Sequence, residues 1–98
     1  MHEAIRVIGR VEAREGMREE LYAALVTLVT HTRREAGCLR YELWEQDDRP
    51  GAFAFVEEWA TGADLDAHLA SAHMADAVAA VGRWADGPPD IRRYRAVR

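Results

Sequence analysis

The spacing of apolar residues predicts a strand followed by a helix at the start of the chain. In residues 4–12 apolar positions alternate with mixed ones, and one face carries Ile5, Val7, Gly9 and Val11. A period of two is typical of a β-strand with one buried face. From Met17 the period becomes that of an amphipathic helix, whose inward stripe is Leu21, Leu25, Leu28 and Thr32. We expect Gly37 to cap this helix in a left-handed conformation.

Two more strands are predicted on either side of a turn. In residues 38–46 the apolar side is formed by Leu39, Tyr41 and Leu43, which alternate with Arg40, Glu42 and Trp44. In residues 52–59 one face is formed by Phe53, Phe55, Glu57 and Trp59. Residues 47–51 between them, Asp-Asp-Arg-Pro-Gly, have the composition of a turn. Because both faces of the third strand are largely apolar, we expect both to be covered.

The rest of the chain predicts two helices and a closing strand. Thr61 and Asp64 have the spacing of a capping box, which begins a helix with Leu65, His68, Leu69 and Ala72 on its inward face. A further helix from about Met74 has Ala77, Val78, Val81 and Trp84 inward, and Gly-Pro-Pro at 87–89 ends it. Residues 90–97 are predicted as the last strand, so the order of elements is βαββααβ.

This order indicates an α+β fold. Two strand–helix–strand units joined by a hairpin predict a ferredoxin-like antiparallel sheet with its helices on one face. The other face keeps apolar residues and has no helix left to cover it. Pairing with the same face of a second copy would bury it, which predicts a homodimer. A length of 98 residues predicts one domain over 1–98.

Composition excludes several classes of function. The formal net charge of −4 argues against a nucleic-acid partner, and no apolar run reaches the roughly 18 residues that a membrane span requires. A single cysteine leaves the cytoplasm as the expected location. The chain has no lysine for a Schiff base or a P-loop, and no Gly-x-Gly-x-x-Gly or His-Glu-x-x-His motif. These absences leave no motif for a metal site or for a dinucleotide cofactor.

The residues with chemical potential are few, and each has an ordinary structural interpretation. Glu57 and Trp59 share a strand face with two phenylalanines, and desolvation there would raise the pKa of the carboxyl group. The alternative is a glutamate paired with Arg6 or Arg10. His68, on the inward helix stripe, is either a proton acceptor or a half-buried histidine bonded to a carboxylate or the backbone. His73 is expected to flank the break between the two helices.

Three segments, found in the correct order, resemble the antibiotic biosynthesis monooxygenase (ABM) family. Residues 32–42, Thr-Arg-Arg-Glu-Ala-Gly-Cys-Leu-Arg-Tyr-Glu, are similar to the signature in which a helix ends and a Gly-Cys-x-x-Tyr strand begins. Phe53-x-x-x-Glu57-x-Trp59 is similar to the third-strand motif of the family. A third segment, Leu65-x-x-His68-Leu69-x-Ser71-x-His73, is similar to the helix that follows this strand in the family. The resemblance covers nearly the whole chain.

The resemblance implies a dimeric α+β barrel with a hydrophobic pocket between sheet and helices, and quinol monooxygenase-like chemistry without flavin, haem or metal. It implies catalytic roles for His68, Trp59 and Glu57. The resemblance also implies that a small aromatic substrate contacts Phe53, Phe55, Leu65, His73 and Tyr41. A haem-degrading branch relies on an asparagine in the first strand, and this chain contains no asparagine. Haem degradation is therefore not expected.

Three hypotheses about function follow. The first is a cofactor-independent monooxygenase that oxidises a phenolic or hydroquinone-type substrate with O2, with His68 as the base that removes the phenolic proton. The second is a non-catalytic small-molecule-binding or stress-response protein that uses the same pocket. The third is a lactone isomerase-like enzyme. Oxygen uptake with a panel of hydroquinones separates the first from the other two.

Overall fold

The computed structural model describes residues 4–98, which contain four strands and three helices in the order βαββααβ. The strands are β1 (Ile5–Glu12), β2 (Cys38–Glu45), β3 (Ala52–Trp59) and β4 (Asp90–Arg95). The helices are α1 (Arg18–Thr32), α2 (Gly62–Leu69) and α3 (Ala72–Trp84). The predicted order is confirmed.

The strands form one antiparallel sheet in the order β2-β3-β1-β4. The α+β, ferredoxin-like prediction is therefore confirmed. Register places Glu57 of β3 between Val7 of β1 and Tyr41 of β2. Because side chains on a strand alternate, these three residues share the inner face, which the helices cover.

The core lies between this inner face and the helices. The sheet contributes Val7, Val11, Phe53, Phe55 and Trp59, and α1 contributes Leu21, Leu25 and Leu28. The buried positions of α1 are those that the helical period predicts. Leu65 of α2 and Ala77 of α3 complete the same cluster.

Hydroxyl side chains cap the N-termini of helices α2 and α3. Thr61 Oγ1 accepts a hydrogen bond from the Asp64 backbone N–H at 3.1 Å and donates one to the Asp64 carboxylate at 2.8 Å. The predicted capping role of these two residues is confirmed. Ser71 Oγ accepts from the Met74 N–H at 3.2 Å, so α3 begins with its own cap immediately after α2 ends.

The predicted role of Gly37 is wrong. Helix α1 ends at Thr32, its cap is Arg33 in a right-handed conformation, and Gly37 does not have a positive φ. Gly37 is instead buried where a Cβ atom would collide with the side chain of Asp64. Close packing between the α1–β2 connection and the first turn of α2 therefore requires glycine here.

Four residues predicted to face inward are exposed, namely Leu39, Leu69, Ala72 and Val78. Ala72, predicted to lie on the second helix, instead begins α3. Leu39 is displaced by an irregularity in the β2–β3 register between Cys38 and Arg40. Leu69 is exposed because α2 ends there and the chain turns into α3. Val78 is 60% exposed on α3, beside a cavity between that helix and the sheet.

The outer face of the sheet is apolar at its centre and charged at its margins. By register it carries the half-buried Ile8, Ala54 and Val56, together with the exposed Trp44 and Tyr94. Within residues 4–98 no helix packs on this face. None of the helices in that range has the length and apolar character needed to cross a bilayer.

Candidate functional site

A cavity of about 450 Å³ lies between the inner face of the sheet, helices α1 and α3, and the segment 85–89. Its wall is mostly apolar and includes Val11, Leu28, Phe55, Met74 and Val81. Tyr41 and Glu57 also line it. A volume of this size is typical of pockets for small organic ligands, which span roughly 300–1,000 Å³.

Glu57 is the buried carboxyl group of this wall. Its side chain lies on the inner face of β3, 6% exposed, and Trp59 Nε1 donates a hydrogen bond to Oε1 at 2.9 Å. Burial raises the pKa of Glu57 from 4.5 to about 7, against the opposing effect of the Trp59 hydrogen bond. Near neutral pH this carboxyl group can therefore either accept or release a proton.

Tyr41 lies beside Glu57 on the neighbouring strand and is almost fully buried. Its ring contacts Phe55 at 5.2 Å and His68 at 5.4 Å between centroids. Burial and the neighbouring Glu57 both raise the pKa of the Tyr41 hydroxyl. Tyr41 therefore stays protonated at neutral pH and presents a neutral ring and hydroxyl group to this part of the site.

Trp59 connects Glu57 to His68. The indole N–H bonds the carboxylate of Glu57, while the indole ring packs on the imidazole of His68 at 4.7 Å between centroids. His68 is 1% exposed, and its Nδ1 lies 2.7 Å from Glu35 Oε2. Burial lowers the pKa of His68, and the interaction with Glu35 opposes that change.

Glu35 and His73 extend this group of residues to the surface. His73 Nε2 lies 2.8 Å from Glu35 Oε2, the same oxygen that contacts His68. Glu35 belongs to the connection between α1 and β2, whereas His73 lies in the first turn of α3. Sequence reasoning gave Glu35 no role, because a loop carries no periodicity. Its only signal was a position inside the 32–42 segment that resembles the family.

The structure divides the eight predicted site residues into two groups. Those that line the cavity are Tyr41, Phe55 and Glu57. Those outside its lining are Phe53, Trp59, Leu65, His68 and His73. Phe53 stacks instead with Tyr22 at 6.1 Å between centroids, beneath the guanidinium group of Arg18.

Helix α3, the loop after it and the start of β4 contribute cavity residues that sequence reasoning did not assign to a pocket. They include Met74, Val78, Val81, Pro88 and Ile91. Val78 and Ile91 are large apolar side chains that remain exposed, at 60% and 49%. Exposed apolar side chains beside a concave surface are a feature of ligand-binding grooves. That exposure is not visible in a helical hydrophobicity pattern, which predicts only burial.

Comparison with known proteins identifies the family of the chain. The model of the family described as antibiotic biosynthesis monooxygenase matches residues 4–80. "Putative monooxygenase Rv0793" of Mycobacterium tuberculosis is 34% identical over 88 residues, which are 90% of this chain and 86% of that protein. The solved structure of Rv0793 superposes with a TM-score of 0.90 at 30% identity and covers 97% of this chain and 96% of that one.

Two further relatives agree with this comparison. A crystal structure of an antibiotic biosynthesis monooxygenase has a TM-score of 0.90 at 29% identity, covering 96% of this chain and 99% of the other. The protein sll1783 of Synechocystis sp. is 28% identical over 91 residues; the match spans 93% of this chain but 62% of that protein's length. Since the family model matches most of the chain and the shared fold extends over nearly all of it, this chain belongs to the antibiotic biosynthesis monooxygenase family.

Proposed function

We propose that this protein is a cofactor-independent monooxygenase that oxidises a phenolic or hydroquinone-type aromatic substrate with O2. The observation that carries the proposal is the buried Glu57 carboxyl group, with a pKa raised to about 7, in the wall of an apolar cavity of about 450 Å³. Membership of the family, and a relative named as a monooxygenase, support the class of reaction.

The volume and lining of the cavity favour a small aromatic ring. Its apolar wall offers Phe55 and Leu28 to a ring, while the carboxyl group of Glu57 is available to a hydroxyl substituent. Burial of a ring in such a wall supplies binding energy at roughly 25 cal/mol per Å² of apolar surface. A single buried carboxyl group then orients the hydroxyl substituent toward it.

Glu57 acts as the proton acceptor in this proposal. A phenol has a pKa of about 10, so transfer of its proton to an ordinary glutamate is strongly unfavourable. Raising the pKa of Glu57 from 4.5 to about 7 lowers that cost by about 3 kcal/mol. Only the ionised fraction of Glu57 can accept this proton, so the reaction rate rises with pH through the range around 7.

The phenolate formed in the cavity supplies all the electrons of the reaction. It transfers one electron to O2, and the resulting substrate radical and superoxide combine to form a carbon–oxygen bond. Cleavage of the O–O bond leaves one oxygen atom on the product, and the other leaves as water. Overall the substrate loses two hydrogen atoms and gains one oxygen atom, so O2 is fully reduced without a separate reductant.

Trp59 and His68 support Glu57 in this scheme. The indole N–H of Trp59 holds the carboxyl group in place, and His68 packs behind the indole ring. Proton removal is assigned to Glu57 rather than His68 because Glu57 lines the cavity, whereas Nδ1 of His68 is occupied by Glu35. Trp59 and His68 are therefore positioning residues, and substitution of either alters the pH profile of Glu57.

The proposed active form is a homodimer. The apolar centre of the outer sheet face, which includes Ile8, Val56 and Trp44, would be buried against the same face of a second copy. That arrangement leaves the cavity on the opposite side of the sheet, one in each protomer.

Oxygen uptake with a panel of hydroquinones tests the proposal. We expect Glu57→Gln to lower kcat by about 10²–10⁴-fold with little change in substrate Kd, because glutamine keeps the shape but cannot accept the proton. The matched control is Glu58→Gln, at the adjacent position on the outer face, paired with Arg6. Wild-type kcat/KM should rise with pH to a plateau, with its midpoint near 7. Tight binding without oxygen uptake would favour a non-catalytic binding protein.

A further inference from the structure

Three potential metal ligands from three separate elements meet at the end of the helical layer. They are Glu35 from the α1–β2 connection, His68 from α2 and His73 from α3, and their ligand atoms all lie within 4.8 Å of one another. Nδ1 of His68 and Nε2 of His73 lie 2.7 and 2.8 Å from the same oxygen of Glu35. Two imidazole nitrogens are therefore directed at one centre beside a carboxylate.

This cluster is separate from the cavity of the proposed function. None of its three residues lines that cavity. The His68 side chain is 2% exposed, while those of Glu35 and His73 are 19% and 23% exposed. The centre is thus buried on the side of His68 and reachable from solvent on the other, as an ion-binding site must be.

The donor set is one that zinc uses. Two histidine nitrogens and one glutamate oxygen bind Zn²⁺ with near-tetrahedral geometry when water supplies the fourth ligand. Each neutral imidazole can carry its proton on either nitrogen, so a shift to the other nitrogen directs a lone pair at the centre. A cation then takes the place of the two imidazole N–H groups whose hydrogen bonds Glu35 accepts.

We propose that Glu35, His68 and His73 form a binding site for a divalent cation of the zinc type. Its role is structural or regulatory, because the site does not open into the cavity where substrate is proposed to bind. A cation there would link the α1–β2 connection, α2 and α3 through coordinate bonds. Binding to the folded state alone raises stability in proportion to the logarithm of the free metal concentration.

Calorimetric titration of tag-free, metal-free protein with ZnCl2 tests the site. We expect one Zn²⁺ per chain, a rise in Tm with zinc, and no comparable response to MgCl2, since Mg²⁺ prefers oxygen ligands. Glu35→Gln and His73→Ala should each weaken zinc binding by about tenfold or more, as expected for loss of one of three ligands. Circular dichroism of the metal-free variants establishes that they are folded.

Two matched controls separate this site from general surface binding. Asp76→Asn changes an exposed carboxylate on α3, and His31→Ala removes an exposed imidazole that stacks on His73 at 5.8 Å between centroids. Both should retain wild-type zinc affinity within about twofold. Absence of zinc binding, or equal affinity in the wild type and the Glu35 and His73 variants, overturns the proposal. Oxygen uptake in the presence of a chelator tests the monooxygenase proposal independently.

Discussion

Glu57 and Glu58 are consecutive residues of one strand with the same side chain, yet their surroundings differ completely. Glu57 lies on the inner face, buried beside Tyr41 and bonded by Trp59. Glu58 lies on the outer face and forms an ion pair with Arg6 at 3.7 Å. The alternation of side chains along a strand is sufficient to make one a buried carboxyl group and the other a surface charge.

This difference leads to a pH-dependent prediction about stability. In the folded protein Glu57 keeps its proton up to a pH of about 7, compared with 4.5 for an ordinary glutamate. Between these values the folded state binds more protons than the unfolded state, so this residue makes stability fall as pH rises through that window. Glutamine does not titrate, so the unfolding free energy of Glu57→Gln minus that of the wild type should increase by about 3 kcal/mol from pH 4 to pH 8.

Urea denaturation of both proteins across this pH range measures this gap in unfolding free energy between the variant and the wild type. The comparison cancels the titration of all other groups, because they are shared by the two chains. A gap that does not change with pH would mean that Glu57 ionises normally in the folded protein. Glu57 would then have no special value as a base in the proposed reaction.

The positions of individual residues could be predicted from the sequence where they follow the period of a strand or a helix. The alternation in residues 52–59 predicted that Glu57 and Trp59 share a face, and β3 has those bounds. Prediction failed at Glu35 and Gly37, which lie in a connection whose path is decided by contacts with α2 and α3. No local pattern encodes those contacts, so these roles depend on the tertiary structure.

Two glycine-to-alanine substitutions should have opposite effects on stability. Gly37→Ala places a Cβ where the Asp64 side chain lies, and we expect a loss of roughly 1–3 kcal/mol from overpacking. Gly82 lies within α3, and a Cβ there has no atom within 4 Å. Gly82→Ala should therefore add roughly 0.5–1 kcal/mol through helix propensity. Chemical denaturation measures both, and a stabilised Gly37→Ala would refute the packing role.

At the scale of elements, the break between α2 and α3 organises the site. His68 precedes the break and His73 follows it, and both imidazoles reach Glu35 only because the chain changes direction between them. The Thr61 and Ser71 caps were partly visible in sequence, since Thr61 and Asp64 have capping-box spacing. The inward faces were less predictable, because a cavity beside α3 leaves apolar Val78 exposed.

Loss of the α2 cap should have a measurable cost. Thr61→Ala removes the acceptor of the Asp64 N–H hydrogen bond, and we expect a loss of about 1 kcal/mol in unfolding free energy. The matched control is Thr27→Ala on the exposed side of α1, where the hydroxyl bonds only a carbonyl of its own helix. Alanine favours a helix there, so stability should be unchanged or slightly higher. Equal losses in both variants would contradict a specific capping role for Thr61.

At the scale of the whole molecule, the sheet has two apolar faces but helices on only one. The inner face forms the core and the cavity, whereas the outer face has the half-buried Ile8 and Val56 at its centre. The alternation in β3, apolar on both sides, is sufficient to predict this asymmetry. The division of the inner side into a packed core and an open cavity is not predictable in this way, because it depends on how far α3 and the loop after it lie from the sheet.

The proposed dimer makes Val56 the residue on which to test the outer face. Val56→Glu would place two carboxylates in the two-fold interface, one from each copy, where Glu42 already lies opposite on β2. An unpaired buried charge costs several kcal/mol, so the dimer Kd should rise by about 10³-fold or more. Val26→Glu, on the exposed side of α1, makes the same change away from this face and should leave the dimer intact. Sedimentation equilibrium measures both, with circular dichroism to establish folding. A wild-type chain that is a folded monomer at micromolar concentration, or a Val56→Glu variant as dimeric as the wild type, would show that the outer face is not the interface.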